Sequence, residues 1–424
     1  MLRTLLIAAL LALLLTAPAG AANRWLSKPV MNMAHQGGED ELPSNTMYAF
    51  RKAIAAGSDM LELDVSATAD GRLVVMHDWT VDRTTDGTGH LTDLTLAQVQ
   101  RLDAAYNFVP RRNAVEGLPA KRYPLRGVRT GDRKPPKGFK PADFRVPTLD
   151  EVMRRFPRTP INIEIKGRDD DPAQFLRNAE LLAAELQGTG RRDLIVVSFN
   201  QAAVDRFHAL VPAVDVAPGI EGTSNFLLAG GSAGDGVVAL QIPITFNLGG
   251  QVLDVTTPES VLRSHRAGYA VHVWLSNDEE NRQVYDRLLD MCVDGIMAAA
   301  PKALEKRMRQ RGVARPGVRG GTDPCAVRAT RATVEGRSVA VSLKRRGLGE
   351  QAYAGGVTIR SGGKLVGREA FSLDEGTEAG GVTVALTKYG RRLLDDGERV
   401  RATVAVGTRG ARGGPVLTRV QLRG

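Results

Sequence analysis

The chain has 424 residues, a formal charge of +10 and 43% hydrophobic residues. That apolar content excludes a disordered chain, and the length leaves room for one large domain and a smaller one. With only two cysteines, a disulfide scaffold and a cysteine-built zinc site are excluded as well.

Arg3, the unbroken apolar run from Leu5 to Leu15 and the small residues Ala17-Pro18-Ala19-Gly20-Ala21-Ala22 have the layout of a secretory signal peptide. The run is far short of the roughly 20 residues that a membrane span needs. Residues 1–22 are therefore expected to be removed, leaving an exported (secreted or cell-envelope) chain that starts near Asn23.

From Val30 to about Lys306, short apolar strands alternate with helical patterns. Strands are predicted over 30–34, 60–65, 73–76, 161–165, 194–198, 214–218, 237–242, 270–275 and 295–298. Helices are predicted over 45–56, 149–156, 172–187, 201–209, 258–267 and 278–289. Repeated strand–helix units imply a parallel sheet, and this many units close naturally as an α/β fold of the (β/α)₈ TIM-type barrel. Nine strands are one too many. Asp70-Gly71 joins 60–65 to 73–76 by a link too short for a parallel crossover, so one of the two is a hairpin partner or an extra strand.

The barrel is assigned to 23–310, with an insertion at 78–147 that shows no clear strand–helix unit. Its stretch 110–145 carries 11 Lys and Arg against Glu116, Asp132 and Asp143. It reads as an irregular basic lid over the active-site mouth. Residues 311–321 read as a linker, and 322–424 as a small β-sandwich with period-two patterning and Gly-rich turns. From 320 onward there are 18 Lys and Arg against 10 acids. Such basic surfaces on an exported chain suit an anionic cell-envelope polymer or a membrane surface. No nucleic-acid module is present. Cys292 lies in an apolar stretch and reads first as a small buried hydrophobe, with a bridge to Cys325 as the alternative.

Glu62 and Asp64 occupy positions i and i+2 of one strand, so both project from the same face. Glu164 and Lys166 repeat the arrangement. Charges pointing into a barrel are costly unless paired or bound to metal, and three carboxylates suit a hard divalent cation, Mg²⁺ or Ca²⁺. His35 and His77 stand at strand C-terminal ends, where such barrels gather their functional side chains. Two histidines flanking a phosphoryl group are suited to general acid–base catalysis. Trp274 shares a strand face with His272 and is expected to wall the pocket, with His272 read first as a core residue. There is no phosphate-binding glycine loop and no serine nucleophile elbow.

The motifs Ala34-His35-Gln36-Gly37-Gly38, Pro43-Ser44-Asn45-Thr46, Leu61-Glu62-Leu63-Asp64-Val65, Val74-Val75-Met76-His77-Asp78, Ile163-Glu164-Ile165-Lys166 and Val273-Trp274 resemble the glycerophosphodiester phosphodiesterase family. The resemblance runs from about Val30 to Pro301. It implies a metal-dependent barrel that hydrolyses glycerophosphodiesters to glycerol 3-phosphate and an alcohol. By it, Glu62, Asp64 and Glu164 hold the metal, His35 and His77 form the acid–base pair, and Lys166 contacts phosphate. The family usually has Arg where Gln36 stands and Glu where Ser44 stands. Gln36 is expected to keep one neutral hydrogen bond to phosphate in place of a bidentate clamp. Two other readings stay open: phospholipase D-like action on lysophospholipid or sphingolipid head groups, and an inactive barrel acting as a binding protein.

Overall fold

Eight parallel strands build the barrel: β1 (Met31–Ala34), β2 (Met60–Ala67), β4 (Ile161–Ile165), β5 (Leu194–Val197), β6 (Asp215–Val216), β7 (Ala239–Ile242), β10 (Ala270–Trp274) and β11 (Gly295–Ala298). They pair in the order β6-β5-β4-β2-β1-β11-β10-β7. A parallel bridge between Val216 and Val237 closes the ring. The structure is a computed structural model, and it describes residues 23–317, 320–345, 352–395, 399–409 and 411–424. The expected signal peptide at 1–22 falls outside the described residues. Among the described residues no helix is long and apolar enough to cross a membrane.

The ninth strand, β3 (Leu73–Val75), pairs antiparallel with β2 and stands outside the ring. Strand alternation explains the two apolar layers. Leu61, Leu63 and Val65 of β2 join Ile161, Ile163 and Ile165 of β4 in packing outward against the helices. Met31, Met33, Met60, Ile195, Ala239 and Ala270 form the inner cluster together with the fully buried Trp25. Helix Met47–Ala56 begins at Thr46, whose side chain accepts from the Ala49 N–H, and ends at Gly57 with φ 110°.

The 78–147 insertion contains only short helical turns, and apolar residues tie it down. Val81, Leu91, Val99 and Val146 pack on Val74 and Met76, and Phe144 stacks on Tyr48 at 4.6 Å. That anchoring draws the segment along the flank of the barrel, onto β3 and helix Met47–Ala56. Asp78, Arg83, Thr84, Ala104 and Val146 of the insertion border a small pocket beside His77, while the cleft that holds His35 and Glu62 is lined by other segments.

The C-terminal region forms two antiparallel sheets. One has the order β12 (Val327–Glu335), β13 (Ser338–Arg345), β16 (Ala379–Ala385). The other runs β15 (Lys364–Leu373), β14 (Tyr353–Ser361), β17 (Arg399–Thr408), β18 (Val416–Arg423). Both contribute to one core, including Val341, Leu343, Val357, Ile359, Val404 and Leu422, as a sandwich requires. Helix Lys388–Asp395 was not visible in the sequence pattern.

The seam between barrel and sandwich is covalent and ionic. Cys292 and Cys325 form a disulfide with a Cα–Cα separation of 5.8 Å, which corrects the preferred reading of Cys292 as a free buried thiol. Burial in an apolar stretch suits either state, so the local sequence could not separate them. Arg412 bridges the buried Asp294 and Asp323 across the same seam. Within the predicted linker, Arg315 is 5% exposed and pairs with Asp59 at 2.7 Å.

Candidate active site

The inward face of β2 presents Met60, then Glu62, then Asp64, rising from the apolar interior to the C-terminal mouth. Parallel register sets Glu164 of β4 beside Asp64. One oxygen each from Glu62, Asp64 and Glu164 lie within 4.8 Å of one another. Below them the barrel is closed by polar pairing, with Asn162 and Gln241 exchanging side-chain hydrogen bonds at 3.1 and 2.6 Å.

The carboxylates differ in their surroundings. Burial, reinforced by the charge on Asp64, pushes Glu62 well above its ordinary value, and the Gln36 backbone N–H that donates to it at 2.7 Å opposes this only partly. Burial acts the same way on Asp64, but Lys166, His77 and the Asn45 amide, which donates at 2.8 Å, hold it below. Asp64 Oδ1 is buried and accepts no hydrogen bond; it meets the Lys166 ammonium at 3.3 Å. An all-oxygen set with such an acceptor fits a hard divalent cation. Lys166 also donates to Glu164 at 2.7 Å.

Each candidate histidine has a carboxylate at Nδ1. His35 Nδ1 lies 2.7 Å from Glu39, while its Nε2 lies 4.0 Å from Glu62. Burial alone disfavours its charge, yet Glu39, Glu62 and Asp64 outweigh that and push the imidazole up to about 10. His77 Nδ1 lies 2.6 Å from Asp78, which in turn receives Arg83 Nε at 2.5 Å and Nη2 at 3.0 Å. Despite partial burial, those two partners keep Asp78 far below the usual carboxylate range. A carboxylate on Nδ1 fixes the ring and leaves Nε2 for a reacting group.

His35, Glu62, His77, Glu164, Lys166 and Trp274 all line one cleft. Gln36 does not. Its side chain is buried with φ 48°, and it reaches the site through its backbone N–H to Glu62. His272 is fully buried, edge-on to Trp25 at 6.4 Å, in keeping with a core residue.

Residues 35–303 match the Glycerophosphoryl diester phosphodiesterase family. The chain belongs to this family. It is a phosphodiesterase that hydrolyses glycerophosphodiesters, an activity class named for its curated relatives. The glycerophosphodiester phosphodiesterase of Bacillus subtilis strain 168 is 30% identical over 310 residues, covering 70% of this chain and 93% of that protein. The one from Caldanaerobacter subterraneus is 29% identical over 289 residues, 66% of this chain and 98% of its own. A crystal structure of a glycerophosphoryl diester phosphodiesterase from Silicibacter pomeroyi DSS-3 aligns with a TM-score of 0.53 at 19% identity. It covers 69% of this chain and 98% of that one, and it bears out the barrel.

Sequence reasoning about this phosphodiesterase missed three groups. Glu39 follows His35 by four residues and Asp78 follows His77 directly, but neither spacing showed that the carboxylate would turn onto the ring. The third is a hairpin, β8 (Thr245–Leu248) and β9 (Gln251–Asp254). It projects from the C-terminal end of β7 and sets Phe246 opposite Leu253 on the cleft wall. Gly249-Gly250 with alternating flanks is a hairpin signal that could have found it; both glycines have positive φ, as such turns require.

Proposed function

We propose that this enzyme acts outside the cytoplasm as a divalent-cation-dependent phosphodiesterase, releasing glycerol 3-phosphate and an alcohol through acid–base catalysis by His35 and His77. The convergence of two carboxylate-oriented histidines on a three-carboxylate cluster carries the reading. Glu62, Asp64 and Glu164 would hold Mg²⁺ or Ca²⁺, which supplies positive charge to the phosphoryl oxygens. Lys166 adds an ammonium to the same oxygens and Trp274 walls the substrate. One histidine takes the proton of the attacking hydroxyl, and the other gives a proton to the leaving alcohol oxygen. Glu39 and Asp78 hold the two rings in place.

The Cys292–Cys325 bridge supports export, because the cytosol keeps thiols reduced. For a cell-envelope partner the support is a basic surface: Arg360 and Arg419 flank Thr403 on neighbouring strands, with Arg401 beside them. An anionic polymer or membrane surface would bind there with strong salt dependence.

The test is glycerol 3-phosphate release from glycerophosphocholine and glycerophosphoglycerol, with EDTA and with Mg²⁺ or Ca²⁺ restored. Cation-dependent release, abolished in Glu62→Gln and reduced about 10²–10⁴-fold in His35→Ala, is expected. Full activity in EDTA, or in His35→Ala, would refute the assignment of these residues.

A further inference from the structure

The side chains that converge on the carboxylate cluster stand on barrel strands or directly after them, with one exception. His77 follows β3, the strand outside the ring, and adjoins the start of the 78–147 insertion. Its backbone is pinned to the barrel one residue earlier, where the Met76 N–H donates to the Asp64 carbonyl at 3.0 Å. Packing does little to hold the ring, because the His77 side chain is 40% exposed against 21% for His35. Among the described residues its hydrogen-bond partner is Asp78, whose Oδ1 lies 2.6 Å from Nδ1.

A side chain on the very next residue is a poor anchor unless something fixes it in turn. Arg83 does so. Its Nε donates to Asp78 Oδ2 at 2.5 Å and its Nη2 to Oδ1 at 3.0 Å, so the guanidinium fork grips both carboxylate oxygens. The insertion then holds Arg83. Asn107 is 5% exposed, and its amide donates to the carbonyls of Asp82 and Arg83 at 3.3 and 3.1 Å. Arg83 Nη1 reaches Asn113 Oδ1 at 3.4 Å. Asn113 sits at φ 54°, a left-handed conformation in which Asn is enriched. Asn107 accepts in turn from Arg126 Nη2 at 3.2 Å, and that guanidinium lies 3.5 Å from the centre of the Tyr123 ring and 3.9 Å from that of Tyr106.

A series of hydrogen bonds therefore runs from the interior of the insertion to the imidazole. As a source of stability a partly exposed ion pair such as Arg83–Asp78 is weak. Packing of the insertion is supplied instead by its Val, Leu and Phe residues. What a planar, bidentate grip adds is a fixed direction.

We infer that Arg83 is a positioning residue for phosphodiester cleavage, locking Asp78, and through it the His77 ring, with Nε2 turned to the reacting oxygen. This deepens the proposed function and rests on its assignment of His77 to the acid–base pair. The basic insertion then serves the chemistry from beside the cleft. Without the guanidinium, Asp78 turns to solvent and His77 spreads over its staggered rotamers, only a fraction of them productive. kcat falls with that fraction, while contacts to the substrate elsewhere in the cleft are untouched.

The experiment measures glycerol 3-phosphate release from glycerophosphocholine, with saturating Mg²⁺ or Ca²⁺, in Arg83→Ala, His77→Ala and the double variant. Arg83→Ala should lower kcat about 10–100-fold and leave KM within about twofold, as displacement of a catalytic group does. In the His77→Ala background the same substitution should cost little more, because no ring is left to orient. The guanidinium borders the small pocket beside His77, so methylguanidinium added to Arg83→Ala can reach its place and should restore kcat saturably, where equal NaCl does not. Arg83→Lys keeps the stem and the charge without the fork and should stay about tenfold low. It carries the test if Arg83→Ala does not fold.

A native kcat in Arg83→Ala or Arg83→Lys, a loss confined to KM, no response to methylguanidinium, or an equal further loss in the His77→Ala background overturns the inference and leaves the phosphodiesterase reading standing. Full activity in His77→Ala by itself refutes the acid–base role of His77, and the inference falls with it.

Discussion

Replacing Glu62 by Gln should separate stability from function in this enzyme. Glu62 is 1% exposed, and its site crowds three carboxylates within 4.8 Å. Burial first, and then the charge on Asp64, raise its carboxyl, so without a cation its negative charge works against the fold. Two unit charges at the 4.8 Å limit of this cluster repel by about 3–4 kcal/mol at an effective dielectric constant of about 20. Lys166 and His35 offset part of that, leaving about 2 kcal/mol to be recovered by the neutral isostere. Gln can still accept the Gln36 N–H, so the local backbone is kept. In EDTA the variant should melt about 4–8 °C above the native protein, at the few degrees per kcal/mol usual for domains of this size. Saturating Mg²⁺ or Ca²⁺ should reverse the order. Cation at a hundred times its Kd adds about 2.7 kcal/mol to the native protein, and much less to a variant lacking one ligand charge. Calorimetric melts with and without cation read both shifts. A variant that melts lower than the native protein in EDTA, or gains as much from the cation, would refute the reasoning.

Breaking the Cys292–Cys325 bridge by Cys325→Ser should cost about 4 kcal/mol, the loop-closure entropy for cysteines 33 residues apart. Urea unfolding measures it, and a loss under about 1 kcal/mol would show that Arg412 and its two aspartates hold the seam alone. His272 gives a pH prediction. Burial pushes it down to about 4 from 6.5, so the unfolded chain binds more protons between those values. Stability is then full above pH 6.5 and falls by about 3 kcal/mol as the pH drops to 4. His272→Leu should flatten the pH dependence of the melting temperature over that window, and an unchanged slope would exclude His272 as its source. Asp78→Asn should lower kcat about 10–100-fold with little change in KM, and should shift the pH–rate profile, because it removes the charge that orients His77. An unaltered profile would limit Asp78 to a structural role.

Local chemistry made much of this protein legible. Alternation in Met60-Leu61-Glu62-Leu63-Asp64-Val65 requires both carboxylates on one face, and the repeated strand–helix rhythm requires a parallel sheet with a functional end. Those properties depend on periods of two and 3.6 residues, which the chain carries within a few residues of itself. Long-range contact decided the rest. Only the sheet pairing could show that β3 leaves the ring and β2 stays in it. Whether apolar Cys292 is free or bridged depends on Cys325, which lies beyond the barrel. The scattered Val, Leu and Phe residues of the basic insertion pack it onto β3 and helix Met47–Ala56 beside His77, and the hairpin at Thr245–Asp254, far later in the chain, lines the cleft. The candidate catalytic residues lie in short motifs that the sequence spells out. The apolar lining of their cleft exists only where loops from separate strands meet, and no local pattern records that meeting.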